Sequence, residues 1–160
     1  MENLLNNEPV KRVSEFIKKF DPSLQILVLN STARTAKDAA NSLKCEVGAI
    51  VKSLLFKGEN TFLICLIAGD RRCSLNKLKK FLNMKDVSMA NAEEVKEITG
   101  FSIGGVSPVA HSSNLKILID NSLNRFPFVF AAAGHPNCVF KITYAKLIKI
   151  TKGLEKEISE

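Results

Sequence analysis

The stretch IVKSLLFKGENTFLICLIA, residues 50–68, decides the fold. Residues 50–56 and 61–68 are two apolar runs of strand length, and Gly58-Glu59-Asn60 between them is a turn signal. The two runs predict a β-hairpin. Their hydrophobicity is nearly continuous rather than alternating, so both faces of the hairpin are expected to be covered. Lys52 interrupts the first run between Ile50, Val51, Leu54 and Leu55. An unpaired ammonium is costly to bury, so this side chain must reach a carboxylate, snorkel to water or face a polar cleft.

Helical patterns lie on either side. Pro9 suits a first helical turn, and Val10, Val13, Phe16, Ile17 and Phe20 share one face of the helix that follows; Asp21-Pro22 ends it. LQILVL, residues 24–29, reads as a short strand. Thr35 can cap a helix with a face of Ala36, Ala39, Ala40 and Leu43. After the hairpin, Ser74 can cap a helix that turns Leu75, Leu78, Phe81 and Leu82 inward and Lys77, Lys79 and Lys80 outward. Residues 87–89 read as extended. Asn91 with Glu94 forms a capping-box pattern before Ala92, Val95 and Ile98, and Gly100 ends that helix. Residues 115–119, 128–133 and 138–142 read as strands, residues 121–126 as a turn or short helix, and residues 144–150 as a last helix. The polar tail beyond Gly153 is expected to fray. Helices and strands alternate irregularly, with no repeat or linker. The expected fold is therefore one compact α+β domain over residues 1–160, built on a mixed sheet.

The chain has 160 residues, of which 46% are hydrophobic, enough for a core of its own. It has no Trp and one Tyr, so aromatic burial rests on ten Phe. No apolar run approaches the roughly 18 residues of a membrane helix, and the polar start MENLLNNEPVKR does not read as a signal peptide. The expected location is the cytoplasm. Cys45, Cys65, Cys73 and Cys138 form no CxxC pair and have no histidine at zinc-ligand spacing, which argues against structural disulfides and against a metal site.

Net charge is +7 and favours a polyanionic partner. Residues 71–85 carry six basic side chains (Arg71, Arg72, Lys77, Lys79, Lys80 and Lys85) and no acid. Lys141, Lys146, Lys149, Lys152 and Lys156 form a second group.

The most unusual segment is TGFSIGGVSPVAH, residues 99–111. Gly104, Gly105 and Pro108 shape a loop whose backbone N–H groups can take an anion or a carbonyl oxygen; a tight turn is the plainer reading. The two histidines, His111 and His135, both sit in Gly- and Pro-containing loops, where ligand contact is easier than in a core. No GxSxG, HExxH or Walker pattern is present. An enzyme built from these residues would work by positioning and backbone donors, without metal or organic cofactor.

Taken together, IVKSLLFK, TGFSIGGVSPVAH, LIDNSL and VFAAAGHP, in that order between about Gln25 and Ile150, resemble the YbaK/prolyl-tRNA-synthetase-associated domain family. The resemblance implies an α+β domain with a barrel-like mixed sheet surrounded by helices. It implies hydrolysis of the ester on a mischarged tRNA carrying a small amino acid, by a free-standing deacylase acting alone or beside a synthetase. It places the family's lysine at Lys52, its GxxxP loop at residues 104–108 and a late histidine at His135. On this reading Lys52, Gly104, Gly105 and His135 are catalytic. Ser107, Pro108, His111 and Gly134 contact substrate, while Ser102, Ser107 and Ser112 tune polarity. Arg71, Arg72, Lys77 and Lys80 contact the tRNA acceptor end. A different class of reading is a non-catalytic module that binds tRNA or a synthetase.

Overall fold

The computed structural model describes residues 3–30 and 35–160. The predicted hairpin forms its centre. Strand β2 (Ile50–Gly58) pairs antiparallel with β3 (Thr61–Ala68), from Val51 opposite Ala68 to Gly58 opposite Thr61. Asn60 takes the left-handed turn position at φ +64°, which asparagine tolerates better than most residues. Both faces are covered, as expected: Val51, Leu55, Ile64 and Leu66 join one apolar cluster, and Phe56, Leu63, Cys65 and Ile67 a second.

Around this hairpin the chain builds an eight-stranded mixed sheet in the order β1-β7-β6-β2-β3-β5-β8, with β4 attached to β2, curled into a half-barrel. The strands are β1 (Ile26–Val28), β4 (Ser88–Met89), β5 (Lys116–Asp120), β6 (Val129–His135), β7 (Cys138–Ile142) and β8 (Leu154–Lys156). The β2–β6, β3–β5 and β5–β8 ladders are parallel and the others antiparallel. The first strand keeps only three residues of its apolar run.

Helices start where local chemistry predicts. Thr35, Ser74 and Thr143 accept a backbone N–H three residues on and cap α2 (Ala36–Leu43), α3 (Leu75–Leu82) and α5 (Tyr144–Thr151). A complete Asn91–Glu94 capping box starts α4 (Ala92–Thr99), and Gly100 ends it at φ +82°. In α1 (Glu8–Phe20) the buried stripe is Val10, Val13 and Ile17. Phe16 and Phe20, expected on that stripe, are 42% and 39% exposed because they flank its narrow line. Leu75 and Phe81 of α3 likewise stay exposed, leaving Leu78 as the fully buried anchor.

The tail does not fray. Strand β8 pairs with β5, Tyr144 donates to Glu155, and Ile158 and Ser159 are buried. The reason lies in Asp120, which is itself fully buried. Its carboxylate accepts Ile158 N–H at 2.8 Å, Ser159 N–H at 3.0 Å, Ser159 Oγ at 2.8 Å, and the Ser122 hydroxyl. Burial alone would raise this carboxyl, but these bonds outweigh it and hold the pKa below the usual carboxylate range. Asp120→Ala leaves those donors without an acceptor and is expected to cost about 3 kcal/mol of unfolding free energy. Urea titration checks this, and amide exchange at residues 154–159 should rise with it.

Candidate functional site

Strand β2 has a complete partner on one edge and a broken one on the other. It meets β6 at Ile50–Phe130 and Val51–Ala131, and meets β4 at Phe56–Met89 and Lys57–Ser88. Beyond Ala131, β6 turns away and its ladder with β7 is irregular between Ala132 and His135. A cavity of about 410 Å³ occupies the gap. Helix α2 supplies Ala36 and Ala39, the loop after α4 supplies Ile103 and Gly104, and the β6–β7 turn supplies Pro136. Lys52 and Ser53 lie in the stretch of β2 that borders it, and most of the lining is apolar.

The loop and the β6–β7 turn meet through glycines. Gly104 takes φ +93° and Gly134 φ +92°. A Cβ on Gly105 would sit 2.9 Å from both the Gly134 carbonyl carbon and the His135 nitrogen, so the two backbones touch. Gly134 N–H donates to the Gly105 carbonyl at 3.0 Å. On its other side Gly134 lies against the Pro9 backbone, where a Cβ would come within 2.7 Å. Lys52, Gly104, Gly105, Gly134 and His135, far apart in sequence, are thus gathered at one cavity and its rim. One expectation changes. Gly105 N–H is committed to the Ser102 carbonyl at 3.0 Å, so Gly104 carries the amide of the pair that has no internal acceptor among the described residues.

Of the three fates open to Lys52, none is met in full. Its Nζ donates to the main-chain carbonyl of Arg71. Burial lowers its pKa, Asp70 opposes that shift, and Arg72 adds to it. Asp70, the residue before Arg71, takes two bonds from Arg125 at 3.0 and 2.8 Å, which anchors this turn. Arg125 Nε also donates to the Ser122 carbonyl at 2.6 Å. Sequence reading missed Asp70 and Arg125, which bear no local signal. It also missed Ser53, which stands beside Lys52 and is the one small polar side chain in that apolar run.

His135 accepts Asn137 N–H on Nδ1 at 3.0 Å, which places the proton of its neutral ring on Nε2. Ser107, Pro108 and His111 do not border the Lys52 cavity. Ser107 and Pro108 are buried, and Ser107 Oγ accepts Val109 N–H at 3.1 Å. His111 Nε2 lies 2.7 Å from the Ser107 carbonyl, and its ring stands edge-on to Phe101. Pro108 and His111 line a separate recess of about 380 Å³ together with Phe16. Their bonds are internal, so they shape the loop from behind. Ser112 bonds the Ile98 carbonyl and Ser102 is exposed. Arg71, Arg72 and Lys80 are exposed, whereas Lys77 bonds the Ser159 carbonyl at 2.7 Å and Glu157 at 3.3 Å.

The internal role of His111 has a pH signature. Burial, with Arg12 nearby, lowers its pKa from 6.5, against the opposing bond to Ser107. The folded state therefore favours the neutral ring, and its contribution is complete above pH 6.5 and is lost as pH falls through that value toward the lower folded pKa. Denaturant midpoints of the parent should fall over that window, and His111→Gln should flatten this component. Gly105→Ala, which forces a methyl into the Gly134–His135 backbone, is expected to cost about 2 kcal/mol, read as a lower thermal midpoint.

Comparison with known proteins identifies the family. Residues 30–150 match the family described as "Aminoacyl-tRNA editing domain". A proline–tRNA ligase of Kosmotoga olearia is 39% identical over 94 residues, 59% of this chain and 16% of the ligase, so the chain spans about a sixth of such ligases. The Bacillus subtilis protein YwhH is 30% identical over 139 residues, 86% of this chain and 88% of that protein. A crystal structure of a candidate trans-editing enzyme for prolyl tRNA synthetase superposes with a TM-score of 0.90 at 36% identity, covering 95% of this chain and 97% of the other. By sequence and by fold, this chain belongs to the aminoacyl-tRNA editing domain family.

Proposed function

We propose that the protein is a trans-acting deacylase that hydrolyses the ester between a small amino acid and the terminal ribose of a mischarged tRNA. The observation that carries this reading is the cavity itself. Lys52 and a loop amide with no internal acceptor among the described residues border a small apolar hollow. Near-complete mutual coverage with YwhH and with the trans-editing candidate supports a protein acting apart from a synthetase. Among the described residues no helix is long and apolar enough to cross a membrane.

The chemistry follows from the groups present. Released from the Arg71 carbonyl, Lys52 offers its charge to the terminal phosphate or ribose region, with exposed Arg71 and Arg72 beside it. The amino-acid side chain fills the hollow, and larger side chains are turned away by its walls, as in a second sieve. The Gly104 amide meets the ester carbonyl oxygen as charge develops on it. Water attacks the carbonyl carbon, the ester C–O bond breaks, and the ribose oxygen leaves with a proton. The described lining holds no carboxylate or imidazole, so a neighbouring ribose hydroxyl is assigned to take the water's proton while passing its own to the leaving ribose oxygen, with His135 at the rim orienting water or ribose.

Deacylation of one tRNA charged with Ala, Cys, Ser or Thr tests the reading. At least one ester should be lost well above the spontaneous rate, and Lys52→Ala should reduce kcat/KM by about 100-fold. Binding of the charged tRNA with no accelerated loss from any ester would favour the non-catalytic module instead.

A further inference from the structure

Ser53 is the polar group the proposed mechanism leaves unused. Its Oγ is buried and has no hydrogen-bond partner among the described residues. An unsatisfied buried hydroxyl is uncommon and costs stability, so it calls for an explanation. Its place in the sheet supplies one. Gly69 N–H donates to the Ile50 carbonyl at 2.8 Å, which turns the main-chain groups of Ile50 toward β3. Strand alternation then sends those of Lys52 and Leu54 the same way, and those of Val51, Ser53 and Leu55 to the opposite edge. On that edge Val51 is taken by β6, and the Leu55 carbonyl accepts Ala90 N–H at 3.0 Å. Ser53 falls between the two ladders. Its N–H and C=O, and its side-chain hydroxyl, stand at the gap that the cavity fills.

We infer that Ser53 is the anchor for the α-ammonium group of the aminoacyl ester, its Oγ and main-chain carbonyl both accepting from that ammonium. This rests on the deacylase reading. An aminoacyl ester brings three polar features to the pocket: the carbonyl, the ribose side and the ammonium. The first two fall to the Gly104 amide and to Lys52. The ammonium is purely a donor and needs acceptors. Among the polar side chains lining the cavity, Lys52 has only donors, and Thr35 Oγ1 already accepts Asp38 N–H at 3.1 Å. That leaves Ser53, whose carbonyl and hydroxyl lie on one residue. The same arrangement fixes the ester's orientation: with the ammonium held at the β2 edge and the carbonyl at Gly104, the side chain is directed at the apolar wall. Ser53 thereby distinguishes an amino acid from any other acyl group of equal size.

The test compares two esters on the same tRNA: alanyl, and propionyl, which is alanine without its α-amino group. The parent should prefer the alanyl ester by about tenfold or more in kcat/KM, because a site built around a polar group rejects the analogue lacking it. Ser53→Ala should lose about tenfold on the alanyl ester, stay within about twofold on the propionyl ester, and so erase the preference. Ser53→Thr, which keeps the hydroxyl, should retain it. Equal losses on both esters in Ser53→Ala would overturn the proposal in favour of a structural role, as would an unchanged alanyl rate. A parent that hydrolyses neither alanyl nor any other aminoacyl ester brings down the deacylase reading and this one with it. A parent active on both esters without preference overturns the Ser53 role alone.

Discussion

The site depends on one constraint: β2 is paired along its full length with β3 but only at its two ends on the opposite edge. A fully paired strand would have no room for a ligand, and a fully open edge would invite strand addition from another chain. Here the edge is open over a few residues, between the parallel ladder to β6 and the antiparallel one to β4. The interruption is short enough to be roofed by Ile103, Gly104 and Pro136. Both faces of the hairpin are buried in separate apolar clusters, so the strand cannot shift to close the gap without disturbing two cores at once. The cavity is therefore held open by packing on either side of it.

What keeps β6 from continuing alongside β2 is a second close approach. Gly134 packs against the Pro9 backbone on one side and the Gly105 backbone on the other, with no side chain to separate the three segments. The start of α1 is thereby wedged against the end of β6, and the loop after α4 is drawn across the mouth of the gap. Its positive φ of +92° bends the strand where an ordinary residue would run on in extended conformation. Val10, Val13 and Ile17 hold the helix in this position by complete burial. Residues that look remote from the site in sequence thus set its shape.

This division explains what was legible beforehand. The hairpin, the caps at Thr35, Ser74 and Asn91 and the left-handed Gly100 are local signals, each settled within a few residues, and the structure shows them where the sequence placed them; the Thr143 cap is seen only in the structure. That Lys52, Gly104, Gly105 and His135 belong together was an expectation of the family resemblance; spacing alone cannot bring separate loops together, and the contact of Gly105 with Gly134 and His135 is seen only in three dimensions. Strand β8 was hidden because Leu154-Glu155-Lys156 has no apolar pattern; it is held by Asp120, more than thirty residues earlier. The exposure of Phe16 and Phe20 was hidden because a helical stripe predicted from spacing is wider than the one this sheet can cover. Ser53 was hidden because its importance arises only where two ladders fail to meet. His111 was misplaced for a related reason: adjacency to the loop in sequence puts it behind the loop in space.

The charge of the chain is also apportioned by the fold. Lys77 and Lys146 are bound to acceptors on neighbouring elements. Lys116 and Lys156 lie over the Phe81 ring at 5.4 and 4.7 Å, and Lys141 over Phe128 at 4.2 Å. Exposed pairs of this kind contribute little to stability, so their main effect is to fix where positive charge sits. Arg71 and Arg72 differ. They follow Asp70 directly, and the Asp70–Arg125 pair ties this turn to the segment after β5. The turn supplies the carbonyl that holds Lys52 and carries the two guanidinium groups on the same short segment. Arg72 is near enough to Lys52 to lower its pKa, so this anchored turn gathers positive charge around that ammonium. Asp70 and the Arg71 carbonyl offset the repulsion between these cations, so the turn that carries the arginines also carries the acceptors that steady Lys52.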